Sequence, residues 1–274
     1  MILNRFANNT VYEYVTFEML QRTGAIALKA RKNITRSIPY ISITHMKKTK
    51  KSCDLKSCSF CKLCLKEWLP ALNLNRQTLQ VSKGETFVQE GEKVTGVYFV
   101  YEGAVKVHKQ WGEKELIVRF AKKGDIVGHR GLGNDIYYPV SATAIEPSVV
   151  CFIEIDFFIS SLKVNQDFLF QLMMFFAEEL KVSERKMRNL AHMPVKGRVS
   201  LALLTLHEKF GVEQDGFIDL TLTKQDLASY TGATYETVFR ILNELSQEKL
   251  IKLSGKTIGI LNKKKLIEIS SKPE

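Results

Sequence analysis

The sequence predicts an α+β fold class: a strand-rich half, one long helix, and a small C-terminal domain of short helices and strands. Three observations predict it. Eight short apolar runs, at 79–81, 86–88, 97–101, 104–108, 116–120, 126–127, 140–144 and 149–155, are punctuated by turns at Gly84, Gly91, Gly103 and Gly124. Residues 164–190 then carry apolar side chains at heptad spacing. Beyond Pro194 the pattern shortens into helices bounded by Thr and Gly.

Taken in order, residues 1–52 form a basic extension with ten Lys/Arg against two acids. Residues 1–45 show neither helical nor strand periodicity, and the extension reads either as an upstream mis-assigned start before Met46 or as a basic arm that touches phosphates. Residues 53–72 are cysteine-rich. Residues 73–163 read as a β-roll of the cupin-like jelly-roll type, because many short strands at regular spacing close into such a roll. Residues 164–193 are the long helix. Its row Leu169, Phe176 and Leu190, interleaved with Met173, Leu180 and Met187, is a seam for an identical helix in a homodimer, while Phe168, Leu172 and Phe175 form a second row for the roll. Ser183 interrupts the first row.

Residues 194–274 form the last domain. Pro194 breaks the long helix, 195–210 is an amphipathic helix ended by Gly211, and 217–222 alternates as a strand. Thr223 opens a short helix through a capping box with Asp226, residues 231–233 turn at Gly232, and Thr234 caps a helix running to about Glu248. Gly255 and Gly259 mark two final small strands. Helix, three-residue turn, helix and flanking strands make a winged helix-turn-helix.

The total charge of +11 does not identify a nucleic-acid partner, because most of it lies in the first 52 residues. Pattern does. In a helix-turn-helix the first turns of the second helix face base edges. Tyr235, Glu236, Phe239 and Arg240 share that face, opposite apolar Val238, Ile241 and Leu245. A glutamate accepts from the cytosine amino group and an arginine forks onto guanine N7 and O6. The competing reading is a surface ion pair between Glu236 and Arg240. Thr223, Thr234 and Lys256 complete the expected contacts with double-stranded DNA.

The stretch 226–242, DLASYTGATYETVFRIL, resembles the helix-turn-helix signature of the Crp/Fnr transcription regulators, and the resemblance extends over roughly 53–265. It implies a sensor role for the roll, a dimerisation role for the long helix, base reading by Glu236 and Arg240, and RNA polymerase as a further partner. Tyr235 and Phe239 match neither the cyclic-AMP nor the oxygen-responsive branch. Members that bind cyclic AMP carry Gly-Glu-Leu and then Arg-Ser in the phosphate cassette. Here the aligned positions are Gly128, His129 and Arg130, then Tyr138 and Pro139, so no cyclic AMP is expected. Arg130 as an anion holder and His129 as a haem ligand are weaker readings.

Four of the five cysteines fall in Cys53-x4-Cys58-x2-Cys61-x2-Cys64. The spacing resembles the opening of a bacterial ferredoxin run, which takes a further cysteine from elsewhere. Cys151, in the last strand of the roll, lies where oxygen-sensing members of the family keep their distant ligand. Three readings stand: a [4Fe–4S] cluster on Cys58, Cys61, Cys64 and Cys151, with Cys53 as alternative; a structural zinc on Cys53, Cys58, Cys61 and Cys64; or metal-free redox thiols.

No P-loop, H-E-x-x-H or G-x-S-x-G is present, and His45, His108, His129, His192 and His207 are scattered, so an enzyme is not expected. A metal or redox carrier using the cysteines without DNA binding is the alternative class. With neither a signal sequence nor a run of the ~18 apolar residues a membrane span needs, no membrane partner and a cytoplasmic location are expected.

Overall fold

The computed structural model describes residues 46–49 and 58–271; most of the basic extension, and Cys53 with it, lies outside them. The roll is two antiparallel sheets. Strands β1 (Lys47–Lys48), β2 (Arg76–Val81), β9 (Ser148–Glu154), β4 (Gly96–Glu102) and β7 (Ile126–Val127) are neighbours in that order. The second sheet runs β3 (Thr86–Val88), β8 (Ser141–Ala144), β5 (Val105–Trp111) and β6 (Lys114–Ala121).

The central strands β4 and β9 read as near-continuous apolar runs because both of their faces are covered. Alternation assigns Tyr98, Val100, Val150 and Phe152 to the core between the sheets. It assigns Val97, Phe99, Cys151 and Ile153 to the outer face, which helices cover. Those helices are α1 (Ser59–Leu63), α2 (Leu69–Asn75), α3 (Ile155–Val164) and α4 (Gln166–His192).

The long helix expected from Val164 is α4, and a helix that was not expected, α3, precedes it. Asn165 breaks from helical backbone and caps α4, its side chain accepting from Phe168 N at 2.9 Å. The same side chain donates to Leu63 O at 2.6 Å, and Trp68 Nε1 donates to Ser161 Oγ at 3.0 Å, so the cysteine-rich segment is pinned to the α3–α4 junction. Along α4, Phe168 and Leu172 are buried against the roll and Phe175 half-buried, as expected. The seam is less uniform: Leu169, Met173, Leu180 and Met187 are exposed, whereas Phe176 packs beside His129 with ring centroids 5.5 Å apart. A heptad row drifts around a straight 3.6-residue helix, which carries Phe176 towards the roll.

The C-terminal domain holds α5 (Val195–Phe210), α6 (Lys224–Thr231), α7 (Tyr235–Gln247), the hairpin β10 (Ile251–Ser254) and β11 (Thr257–Ile260), and α8 (Lys263–Ser271). One expectation fails: residues 217–222 form no strand, only an isolated bridge between Val212 and Ile218. Their alternation is real, since Ile218, Leu220 and Leu222 are all buried, but beside the bridge to Val212 the segment meets β11 through Ile218 N to Ile258 O at 2.9 Å without forming a ladder among the described residues. The domain's core, around Leu203, Leu227, Leu242, Leu245 and Leu266, continues into Ile117 and Phe120 of β6, so the helix-turn-helix docks on the roll.

Candidate functional site

Helix α6 begins where Thr223 accepts from Asp226 N at 3.0 Å. The half-buried Thr223 hydroxyl also bonds the Asp226 carboxylate, which leaves it engaged in the cap. Asp226 further pairs with Lys106 of β5 at 2.9 Å, and Lys106 with Glu115 of β6 at 2.9 Å, fastening the start of α6 to the roll. Gly232 ends the helix in the left-handed region at φ 62°; a Cβ there would stand 2.5 Å from Leu190 Cδ2, so the turn takes glycine for both conformation and space.

Thr234 caps α7 by accepting from Thr237 N at 3.3 Å. Val238, Ile241, Leu242 and Leu245 are buried, and Tyr235, Glu236, Phe239 and Arg240 stand exposed on the opposite side. Tyr235 and Phe239 lie parallel, centroids 6.2 Å apart, and form an outward aromatic step. The Arg240 ion partner is Glu244 at 3.0 Å, not Glu236. Such an exposed i,i+4 pair contributes only ~0.3–0.5 kcal/mol and yields readily to a stronger acceptor. Lys256 is exposed at the tip of the β10–β11 hairpin.

Two side chains that hold this arrangement escaped the sequence reading. Lys224 places Nζ 5.8 Å from the Phe239 ring. Arg198 donates to Leu190 O at 3.2 Å, Met193 O at 2.9 Å and Gly232 O at 3.4 Å, tying the end of α4 to the turn. Its partners lie up to 34 residues away and no local motif signals them.

At the other end of α4, the structure brings the cysteines together. Cys58, Cys61 and Cys151 are buried and Cys64 half-buried in one cluster with Phe60, Phe99, Phe158 and Phe168. Thiols converging in a dry pocket are a suitable donor set for iron–sulfur or zinc. As placed, however, they pack rather than ligate: among the described residues no three His, Cys, Asp or Glu side chains stand where they could hold a metal ion. Burial pushes the Cys64 thiol up from its ordinary value, which disfavours the reactive thiolate unless a cation stabilises it.

In the loop after β7, Arg130 pairs with Glu179 of α4 at 2.8 Å, and Arg119 of β6 meets the same carboxylate at 3.1 Å. Glu179 is held below the usual carboxylate range: the two arginines outweigh the opposing effect of burial. His129 is buried beside Phe175, and desolvation, with Arg119 adding to it, lowers its pKa to about 3. Tyr138 fills the roll beneath Gly128 and Gly131, and its hydroxyl donates to Gly96 O at 2.8 Å.

A roll joined through a long helix to a winged helix-turn-helix, whose second helix exposes polar and aromatic side chains along one face, defines a DNA-binding transcription regulator. Residues 197–269 match the Crp-like helix-turn-helix domain and residues 78–165 the cyclic nucleotide-binding domain. Over 182 residues the chain is 33% identical to the cAMP-activated global transcriptional regulator CRP of Salmonella typhimurium, which spans 64% of this chain and 85% of that protein. Over 227 residues it is 27% identical to the fumarate and nitrate reduction regulatory protein of Vibrio cholerae, 78% of this chain and 89% of that one. The structure of FixK2 from Bradyrhizobium japonicum shares the fold, with a TM-score of 0.66 at 24% identity over 73% of this chain and 99% of the other. The chain belongs to the Crp/Fnr family.

Proposed function

We propose that this regulator binds DNA as a homodimer and answers a redox signal at its cysteine cluster. The observation that carries the DNA reading is the outward face of α7. Glu236 and Arg240 are solvent-exposed at i and i+4, above a buried apolar face that fixes the helix. In a major groove Arg240 exchanges Glu244 for a guanine edge, Glu236 accepts from cytosine, and the Tyr235–Phe239 step meets thymine methyls. Thr234 and Lys256 contact the backbone phosphates in this reading, and Thr223 contributes by holding the start of α6. Leu169, Met173, Leu180 and Met187 form the seam with a second copy, with Phe176 and Leu190 at its edges; pairing sets the two recognition helices one DNA turn, ~34 Å, apart. RNA polymerase enters as the partner that the family implies.

The signal reading rests on four thiols sharing one cluster and on Asn165, which bonds both Leu63 O and the first turn of α4. A change at Cys58, Cys61, Cys64 or Cys151 is thereby felt at the start of the seam. A [4Fe–4S] group, when bound to these thiolates, supplies a link that oxygen destroys. Arg130 held by Glu179 and Tyr138 filling the roll favour a signal other than a cyclic nucleotide.

Two experiments test this. Selection of bound duplexes from a random pool should return a two-fold site, and Arg240→Ala should weaken binding to it about ten- to a hundredfold with an unchanged melting temperature; equal affinity for every duplex refutes the reading. Protein purified without oxygen should be coloured and carry iron and sulfide. A colourless protein with one zinc per chain makes the cysteines structural, and metal-free protein leaves the thiols themselves as the redox group.

A further inference from the structure

Between β6, the C-terminal half of α4, α5 and α6 lies an open cleft of about 610 Å³. That volume is within the ~300–1,000 Å³ usual for small-molecule sites. Its apolar wall is made by Phe120, Leu201, Leu206 and Tyr230. Its polar wall is strongly basic. Three of its cations, Lys186, Arg188 and Arg198, have no carboxylate partner among the described residues: Lys186 donates to Ile117 O at 2.6 Å and Val118 O at 3.3 Å, Arg188 to the Asn189 side chain at 2.8 Å, and Arg198 to backbone carbonyls. Among the described residues the one carboxylate on the cleft wall, Glu179, is already shared by Arg119 and Arg130. Arg198 Nε is buried without an acceptor.

Cations gathered at a low-dielectric wall without counter-charge are costly unless an anion joins them. We propose that this cleft is a binding site for an amphipathic organic anion, with its acidic head on Lys186, Arg188 and Arg198 and its apolar body on Phe120, Leu201, Leu206 and Tyr230. Val182, Lys186 and Asn189 carry the cleft on a face of α4 about a third to a half of a turn from the Met173, Leu180 and Met187 row, and Leu190 at the seam's edge forms its rim, so pairing through that row leaves the cleft open. The site lies outside both the cysteine cluster and the interior of the roll. Because its walls belong to the roll, α4 and the helix-turn-helix domain, an occupant bears on how that domain is held.

The test is direct binding to the full chain, without DNA, so its failure leaves the DNA and redox readings standing. Titration with 8-anilinonaphthalene-1-sulfonate should reveal one site per chain. Arg188→Gln, whose side chain among the described residues bonds only its neighbour Asn189, should weaken that site about tenfold, as loss of a charge-assisted contact does. Lys186→Met should do the same, and Lys181→Gln, off the cleft, should change nothing. Dodecanoate, dodecyl phosphate and ATP are the competitors; displacement by one rather than another assigns a carboxylate, a phosphate or a nucleotide. Dye affinity that is unchanged in both Arg188→Gln and Lys186→Met overturns the proposal, and so does failure of all three competitors to displace the dye.

Discussion

The two ends of α4 stand in opposite surroundings. The first turns are sealed in a dry cluster, where Phe60 packs on Phe99, Phe158 and Phe168 at centroid distances of 5.1–5.7 Å and four cysteines line the contact. The last turns border an open, cationic cleft and are joined to the helix-turn-helix domain by Arg198, by Leu190 against Gly232, and by Lys186, whose Nζ sits 3.9 Å from the Tyr230 ring. Close packing resists displacement, and at the second end that packing is shared with β6 through Ile117 and Phe120 while the cleft itself stays open. The first end is therefore a tightly packed setting for its thiols, and the second borders an open cleft.

The contrast can be broken most severely at the dry end. Phe60→Ala removes a fully buried ring and should cost ~3–5 kcal/mol by urea denaturation; a loss below ~1 kcal/mol would mean that the cluster is loosely packed. At the open end, Gly232→Ala forces a side chain into left-handed backbone and against Leu190, for ~1–2 kcal/mol. Its effect should concentrate in protection of α6 and α7 amides from hydrogen exchange, with the cysteine cluster unaffected.

A third test sharpens the comparison through pH, its effect accruing gradually at ~1 kcal/mol for each pH unit. His129 has its pKa lowered from 6.5 to about 3, so the unfolded chain binds the proton first, and wild type should lose stability relative to His129→Phe as pH falls from 6.5 towards 3. Desolvation, with Arg130 adding to it, lowers Lys186 from 10.5 to about 7; here too the unfolded chain holds the extra proton, now between pH 7 and 10.5. Wild type should therefore gain on Lys186→Met as pH rises through that window, by ~1 kcal/mol for each pH unit. Urea midpoints across pH 4–10 read both.

Much of this was legible in the chain itself. The strand runs recur as β2 to β9, Pro194 and Gly211 bound α5, and Thr223, Gly232 and Thr234 frame the turn, because caps, breakers and periodicity are local physics. The outward placement of Tyr235, Glu236, Phe239 and Arg240 follows from the same periodicity. Helix α3 was missed because its run of Phe157, Phe158 and Ile159 follows a strand without a breaker, and α1 and α2 are too short to carry a clear period. Residues 217–222 mislead for the converse reason: alternation records which side chains face a core, and a strand also needs a neighbour.

Sequence by itself determined the order of the roll strands, the long helix and the helix-turn-helix, and the family resemblance, since each rests on neighbours a few positions apart. Tertiary structure alone decided that Cys151 turns outward to meet Cys58, Cys61 and Cys64, that Asp226 is claimed by Lys106, and that Arg240 turns to Glu244 rather than Glu236. It also decided that unpaired cations collect around a cleft at the end of α4. The first, second and last of these join groups far apart in the chain, and Arg240 had a carboxylate within reach on either side. Packing, not spacing, selects among such partners.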